Sequence, residues 1–183
     1  MESNVVNNVI LVDKDDAPIG VMEKMEAHRK ALLHRAVSVF VFNTKGEWLL
    51  QRRATAKYHS GSLWTNTCCT HPFPEETNAH SASRRLKQEM GLEVTLTEIF
   101  HFIYHEKLDN ELTEHEYDHV FMGVSDAVPA INNDEVMDYR YVSYSELKDE
   151  VIRFPEHFTY WFKKIMDDVF LQFNQVHNGN QNV

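Results

Sequence analysis

Ala36-Val37-Ser38-Val39-Phe40-Val41-Phe42 is a β-branched and aromatic run, the pattern of a central strand. Asn43-Thr44-Lys45-Gly46 supplies a turn after it, and Glu47 to Arg52 returns as its hairpin partner. Upstream, Val9 to Val12 reads as a short first strand followed by a turn through Lys14, Asp15 and Asp16. Glu23 to Leu33 is a polar segment, helical or irregular, that carries Lys24 and His28. Downstream, Glu76 to Met90 reads as a helix: Thr77 or Asn78 can cap it, Ala79, Ala82, Leu86 and Met90 recur at helical spacing, and Gly91 follows as a stop.

Val94 to His105, Glu116 to Val124 and Tyr139 to Ser143 read as further strands, and Ser145 to Val151 as a short capped helix before a break at Pro155. Phe158, Trp161, Phe162, Ile165, Met166, Val169, Phe170 and Phe173 then mark one face of a last amphipathic helix, a stripe suited to core packing. Strands and helices mixed without strict alternation indicate a layered α/β (α+β) domain on a mixed sheet. Residues 1–173 form a single domain in this reading, and the polar tail 174–183 is expected to be disordered.

The composition narrows the function. At 183 residues, 43% hydrophobic and 25% charged, the chain is long enough to bury a core. No apolar run is long enough to cross a bilayer, and Met1-Glu2-Ser3-Asn4 lacks the features of a signal peptide, so a cytoplasmic location is expected. The two Cys are adjacent in sequence and form no stapling framework, which fits a reducing compartment. A net charge of −10 argues against nucleic acid and against an anionic membrane as partners. A small anionic ligand stays open, because a few basic residues or a divalent metal reverse the field locally. Monomer and homodimer both remain open.

Chemistry concentrates in Trp64-Thr65-Asn66-Thr67-Cys68-Cys69-Thr70-His71-Pro72, whose composition is wrong for an ordinary strand, helix or loop. Core thiols sit among Leu and Val, whereas most neighbours here donate or accept hydrogen bonds; a thiol in such surroundings can take part in proton transfer. Farther on, Glu114 and Glu116 straddle His115 at a strand mouth, so the carboxylates share a face and His115 takes the other. Like charges that close call for a cation between them or a shared proton, although acidic residues also end solvated strands. With His28, His34 and His71 they would make a five-donor nitrogen and oxygen site. Arg85 and Glu89, spaced i, i+4, are either a surface ion pair or a phosphate contact beside a cation ligand. Arg53, Lys57 and Lys24 could complete an anion clamp.

At these residues the sequence resembles two nested families. Thr70, Glu76, Arg84, Arg85, Leu86, Gln88, Glu89, Gly91 and Leu92 fall on the frame of the Nudix box, G-x5-E-x7-R-E-U-x-E-E-x-G-U. Thr70 replaces the leading Gly, Arg85 the first Glu, and Gln88 one of the two metal-binding Glu. A hydrolase needs those carboxylates to hold metals across a pyrophosphate. The more specific resemblance is to the type I isopentenyl-diphosphate isomerases, a Nudix-fold family with such a degraded box. It rests on Leu33-His34-Arg35-Ala36, the Trp64 to Pro72 stretch, Glu114-His115-Glu116 and Asn133-Asp134-Glu135-Val136-Met137-Asp138-Tyr139, in family order from about Val9 to Trp161.

The resemblance implies a Nudix-type mixed β-sheet layered between helices and the interconversion of isopentenyl and dimethylallyl diphosphate through a carbocation-like intermediate. It implies that His28, His34, His71, Glu114 and Glu116 bind one divalent metal (Mn2+, Mg2+ or Zn2+), and that Cys69, rather than Cys68, is the catalytic thiol. Glu116, assisted by Tyr104, becomes the opposing proton carrier. Glu89 binds a Mg2+ on the diphosphate, which Lys24, Arg53, Lys57 and Arg85 also contact, and Trp161 flanks the hydrocarbon pocket. Trp64 is expected either as a wall of that pocket or as core. The competing expectations are a Nudix pyrophosphohydrolase acting on a nucleotide and a non-enzymatic module that senses a phosphorylated ligand.

Overall fold

Strand β3 (His34–Phe42) has neighbours on both edges, as its apolar run predicts. Strand β8 (Thr113–Val124) lies parallel along one edge from His34 opposite Glu116 to Phe42 opposite Val124. Three antiparallel segments share the other edge. These are β1 (Asn8–Val12) at His34, β6 (Cys68–Thr70) at Val37 to Val39, and β4 (Trp48–Arg53) at Val41 and Phe42. The computed structural model describes residues 7–108 and 110–179; the expectations for Met1 to Asn4 and for 180–183 lie outside them.

Side-chain alternation along β3 builds two apolar layers. Phe40 and Phe42 enter one with Trp48, Leu50 and the inner faces of α3 (Tyr144–Arg153) and α4 (Tyr160–Gly179). Val37, Val39 and Val41 enter the other with Ala82, Leu86 and Met90 of α2 (Asn78–Met90). Each such side chain contributes about 1.5–3 kcal/mol by leaving water. The stripe on α4 packs as the periodicity predicts, with Trp161, Phe162, Ile165, Met166, Val169 and Phe173 buried.

Helix α2 begins where Thr77 Oγ1 accepts the His80 amide at 3.2 Å and ends at Gly91, φ 66°. A side chain at Gly91 would place its Cβ 2.7 Å from the Ala130 carbonyl oxygen, so both the left-handed backbone and the space require glycine.

Several boundaries differ from the sequence reading. Strand β2 (Pro18–Glu23) turns Ile19 and Val21 to solvent and has no buried face; its pairing with β1 makes it a strand. The segment that begins at Glu23 contains a short helix, α1 (Lys24–Arg29), capped by the Glu23 carboxylate. Strand β4 pairs with β3 through only two residues and then runs along β9 (Val136–Val142) and the two-residue β5 (Trp64–Thr65). The Cys stretch is therefore partly strand. Where β4 leaves β3, side chains replace the missing ladder: Thr67 Oγ1 accepts the Val41 amide and donates to the Leu49 carbonyl, both at 2.8 Å. Strand β7 (Thr97–Lys107) pairs with β8 over nearly its whole length, and β8 starts at Thr113, so both Glu114 and Glu116 lie inside it. The tail expected to be disordered from residue 174 is helical to Gly179, because extending an established helix costs far less than nucleating one.

Candidate active site

Alternation along β8 sends Glu114, Glu116 and Asp118 to one face and His115 to the other. The parallel register sets His34 beside Glu116; α1 brings His28, and the chain leaving β6 brings His71. Ligand atoms of His28, His34, His71 and Glu116 all lie within 4.8 Å of one another. His28 Nε2 is 3.2 Å from Glu114 Oε2, His71 Nε2 is 2.9 Å from Glu116 Oε1, and His34 Nε2 is 3.7 Å from the same oxygen. Glu114 thus joins the four through His28.

The second nitrogen of each ring tests whether a cation fits. His28 Nδ1 lies 2.7 Å from the Lys24 carbonyl and His34 Nδ1 lies 2.8 Å from the Leu32 carbonyl. A carbonyl only accepts, so each Nδ1 carries the hydrogen and each Nε2 of the neutral ring carries a lone pair. Those lone pairs face carboxylates, and His28 Nε2, His34 Nε2 and Glu114 Oε2 are buried without a hydrogen-bond partner. Burial pushes His71 down to about 3, leaving it a neutral imidazole at physiological pH. Burial alone would raise Glu116, but a proton on the facing nitrogen of His34 or His71 outweighs it and holds the carboxyl well below its usual range while no metal occupies those nitrogens. Buried acceptors converging in this way suit a divalent metal.

Strand β6 divides the two thiols. Cys68 is buried in the layer against α2, while Cys69 faces a cavity of about 500 Å³. Asn66 Nδ2 lies 3.2 Å from the Cys69 sulfur, Asn66 Oδ1 lies 3.3 Å from it, and Ser38 Oγ lies 3.5 Å away. Asn66 Oδ1 also accepts the Trp161 indole N–H at 3.2 Å. Burial, and next the charge of Asp118, push the Cys69 thiol up to about 12, so it keeps its proton. Tyr104, opposite Glu116 on β7, donates its hydroxyl to Glu116 Oε2 at 2.6 Å. Cys69, Tyr104 and Glu116 all line the one cavity.

Lys24, Arg53, Lys57, Arg85 and Trp161 line the same cavity. Burial pushes Lys24 down to about 8, against the pull of Glu114 and Glu116, and its ammonium lies 4.3 Å from the Tyr58 ring centre. The Arg53 guanidinium lies 5.4 Å from the Trp161 ring centre. Lys57 and Arg85 are engaged with carboxylates. Lys57 reaches Glu89 at 3.2 Å and also Glu135, and Arg85 reaches Glu89 at 2.5 Å and Glu135 at 2.9 Å. Gln51 Nε2 donates to the other oxygen of Glu89 at 2.6 Å. The Arg85–Glu89 pair therefore belongs to a buried network. Glu89 is 2% exposed and lies behind the cavity lining. Elsewhere on the box frame, Arg84 grips Glu76 through two bonds of 2.7 and 2.8 Å and reaches Gln88 at 3.2 Å.

Trp64 is not a wall of this cavity: half-buried, it packs against the apolar layer under the Arg140 guanidinium, 4.4 Å from its ring centre, and lies outside the cavity lining. Sequence reasoning missed two residues. Asp118 accepts the Ser38 hydroxyl at 2.7 Å behind Cys69, and the alternation that pairs Glu114 with Glu116 also predicts its facing. His59, whose Nε2 is 2.8 Å from Glu114 Oε1, sits in a loop with no periodicity to betray it.

Residues 32–162 match the NUDIX domain family. The chain is 52% identical over 158 residues to the isopentenyl-diphosphate Delta-isomerase of Pectobacterium atrosepticum, covering 86% of this chain and 88% of that one. It is 47% identical to isopentenyl-diphosphate Delta-isomerase 2 of Aromatoleum aromaticum, with 89% and 86% covered. Among solved structures, DR0079 from Deinococcus radiodurans superposes with a TM-score of 0.65 at 17% identity, covering 80% of this chain and 89% of that one. The MutT protein of Methanosarcina mazei Go1 gives 0.62 at 20% identity, with 79% and 95% covered. These two likenesses concern the fold alone. A mixed sheet between helices, a degraded Nudix box and extensive identity to named isomerases lead to one assignment: the chain belongs to the Nudix family and, within it, to the isopentenyl-diphosphate Delta-isomerases.

Proposed function

We propose that the cavity interconverts isopentenyl diphosphate and dimethylallyl diphosphate by protonating the substrate from one side group and deprotonating it with another. The observation that carries this reading is that Cys69 and the Glu116–Tyr104 pair open into one cavity whose remaining wall includes five Lys and Arg residues. An unactivated alkene needs a proton added at one carbon and another removed nearby, through a tertiary cation that water would trap. Cys69 holds its proton and Glu116 is ionised, so one carrier is loaded and one is empty, the starting condition for a relay without net proton uptake. Tyr104 steadies the empty carrier and can pass a proton through its hydroxyl. The indole of Trp161, fixed by Asn66, offers a π face to the cation, worth about 0.5–2 kcal/mol.

Lys24, Arg53, Lys57 and Arg85 bind the diphosphate, whose remote binding energy holds a small alkene between the carriers. His28, His34, His71, Glu114 and Glu116 hold a divalent ion of the Mn2+, Mg2+ or Zn2+ class, which when bound neutralises the paired carboxylates and orients Glu116. Glu89 takes the Mg2+ that accompanies the diphosphate once that anion draws Lys57 and Arg85 away from it. The reaction belongs to a cytoplasmic isoprenoid route in this reading. Gln88 stands where pyrophosphate hydrolysis needs a carboxylate, and it contacts Arg84 instead. The test is incubation with isopentenyl diphosphate in deuterated water. Label should enter the allylic product with no phosphate released, and Cys69→Ala should stop it; full activity in that variant would remove the thiol from the mechanism.

A further inference from the structure

His59 is 4% exposed, yet its Nε2 has no in-line hydrogen-bond partner. Ligand atoms of His59, His28 and Glu114 lie within 4.8 Å of one another. His59 Nε2 is 2.8 Å from Glu114 Oε1, and His28 Nε2 is 3.2 Å from Glu114 Oε2, so the two imidazoles flank one carboxylate. Glu114 Oε2 and His28 Nε2 are likewise buried without a partner. Three buried polar atoms that lie close but make no in-line hydrogen bond each cost free energy unless an ion between them takes up their lone pairs.

The loop that carries His59 is held in place by more than packing. Ser60 and Ser62, on either side of Gly61, adopt positive φ of 49° and 65°. A Cβ at Gly61 would lie 2.6 Å from the Thr55 carbonyl oxygen, so the turn closes only with glycine there. Arg53 donates to the His59 carbonyl at 3.2 Å, and the ring meets Trp161 edge-on with centres 5.8 Å apart. Backbone strain kept in this way has a use when it fixes one side chain in one place.

We infer that His59 is a further imidazole ligand of the divalent ion, reaching the centre through His28 and Glu114; this rests on the metal reading above. With it the donor set is richer in nitrogen than three histidines and two glutamates, which favours Zn2+ or another transition ion over Mg2+. It also ties the anion-binding Arg53 and the aromatic wall to the metal centre through one residue.

The experiment strips the full-length protein with a chelator, then titrates Zn2+ in competition with an indicator of known affinity and records the visible spectrum of the Co2+ form. His59→Ala should lose about 10- to 100-fold in Zn2+ affinity and change the intensity of the Co2+ bands. Parent-like affinity overturns the inference. Weaker affinity with an unchanged Co2+ spectrum also overturns it, because His59 then acts only by holding Glu114. Should His59→Ala fail to fold by circular dichroism, His59→Gln decides by the same two readouts. His34→Ala runs alongside: if it binds Zn2+ as the parent does, the metal reading has failed and takes this inference with it, whereas loss there with no change at His59 refutes the inference alone.

Discussion

Two groups of carboxylates surround the cavity and solve opposite electrostatic problems. Glu89 and Glu135 carry their counter-ions with them, since Lys57 and Arg85 each bond to both. Glu114 and Glu116 face imidazole nitrogens whose other ring nitrogen is bonded to a backbone carbonyl in His28 and in His34. The first group is neutralised from within the chain and can exchange partners when an anion arrives. The second suits a divalent cation from outside. Burial raises the stakes in both, because an unpaired charge away from water costs several kcal/mol.

The sharpest way to break that contrast is at Glu116. Glu116→Gln should reduce turnover of isopentenyl diphosphate by about 10²–10⁴-fold and release bound ion, measured as metal content after dialysis. Lys57→Ala should leave metal content at the parent level and raise KM. If Lys57→Ala stripped the ion as well, the groups would be one electrostatic unit. Metal removal gives the next largest effect. An ion at a thousand times its Kd stabilises by about 4 kcal/mol, so chelation should lower Tm by roughly 10 °C in a protein of this length. Inorganic pyrophosphate alone should still raise the Tm of the chelated protein through the other group, by drawing on Lys57 and Arg85.

Two smaller effects refine the picture. Lys57→Ala leaves Glu89 and Glu135 sharing Arg85, an expected loss of about 1–2 kcal/mol in urea unfolding. The proton on Cys69 can be followed by alkylation. The thiolate reacts, and with the thiol pushed up to about 12 its fraction in the folded protein grows about tenfold per pH unit across pH 7 to 10. An ordinary thiol near 8.5 would level off above pH 9, so a plateau there would contradict a dry Cys69. The smallest effect belongs to Cys68→Ala, which should keep activity within about twofold and cost about 1 kcal/mol as a small side chain leaves a packed layer.

Much of this was legible in the chain. A run apolar on both faces marks β3, a 3.6-residue period marks α2 and α4, and strand alternation orders the side chains of β8. The same alternation turns Glu114 and Glu116 together. Strand β2 and the split edge of β3 were not legible, since their hydrogen bonds are decided by distant partners and by the side chains of Asn66 and Thr67.

By itself, the sequence determined which residue types could do chemistry, which of them share a face, and the family they mark. Only the tertiary structure decided that Cys68 enters a core while Cys69 enters a cavity, that Glu89 is already neutralised, and that His59 stands beside Glu114. The reason is physical: periodicity records the direction of a side chain relative to its own element. The company it keeps depends on register between strands far apart in sequence and on loops whose shape is closed by a single glycine.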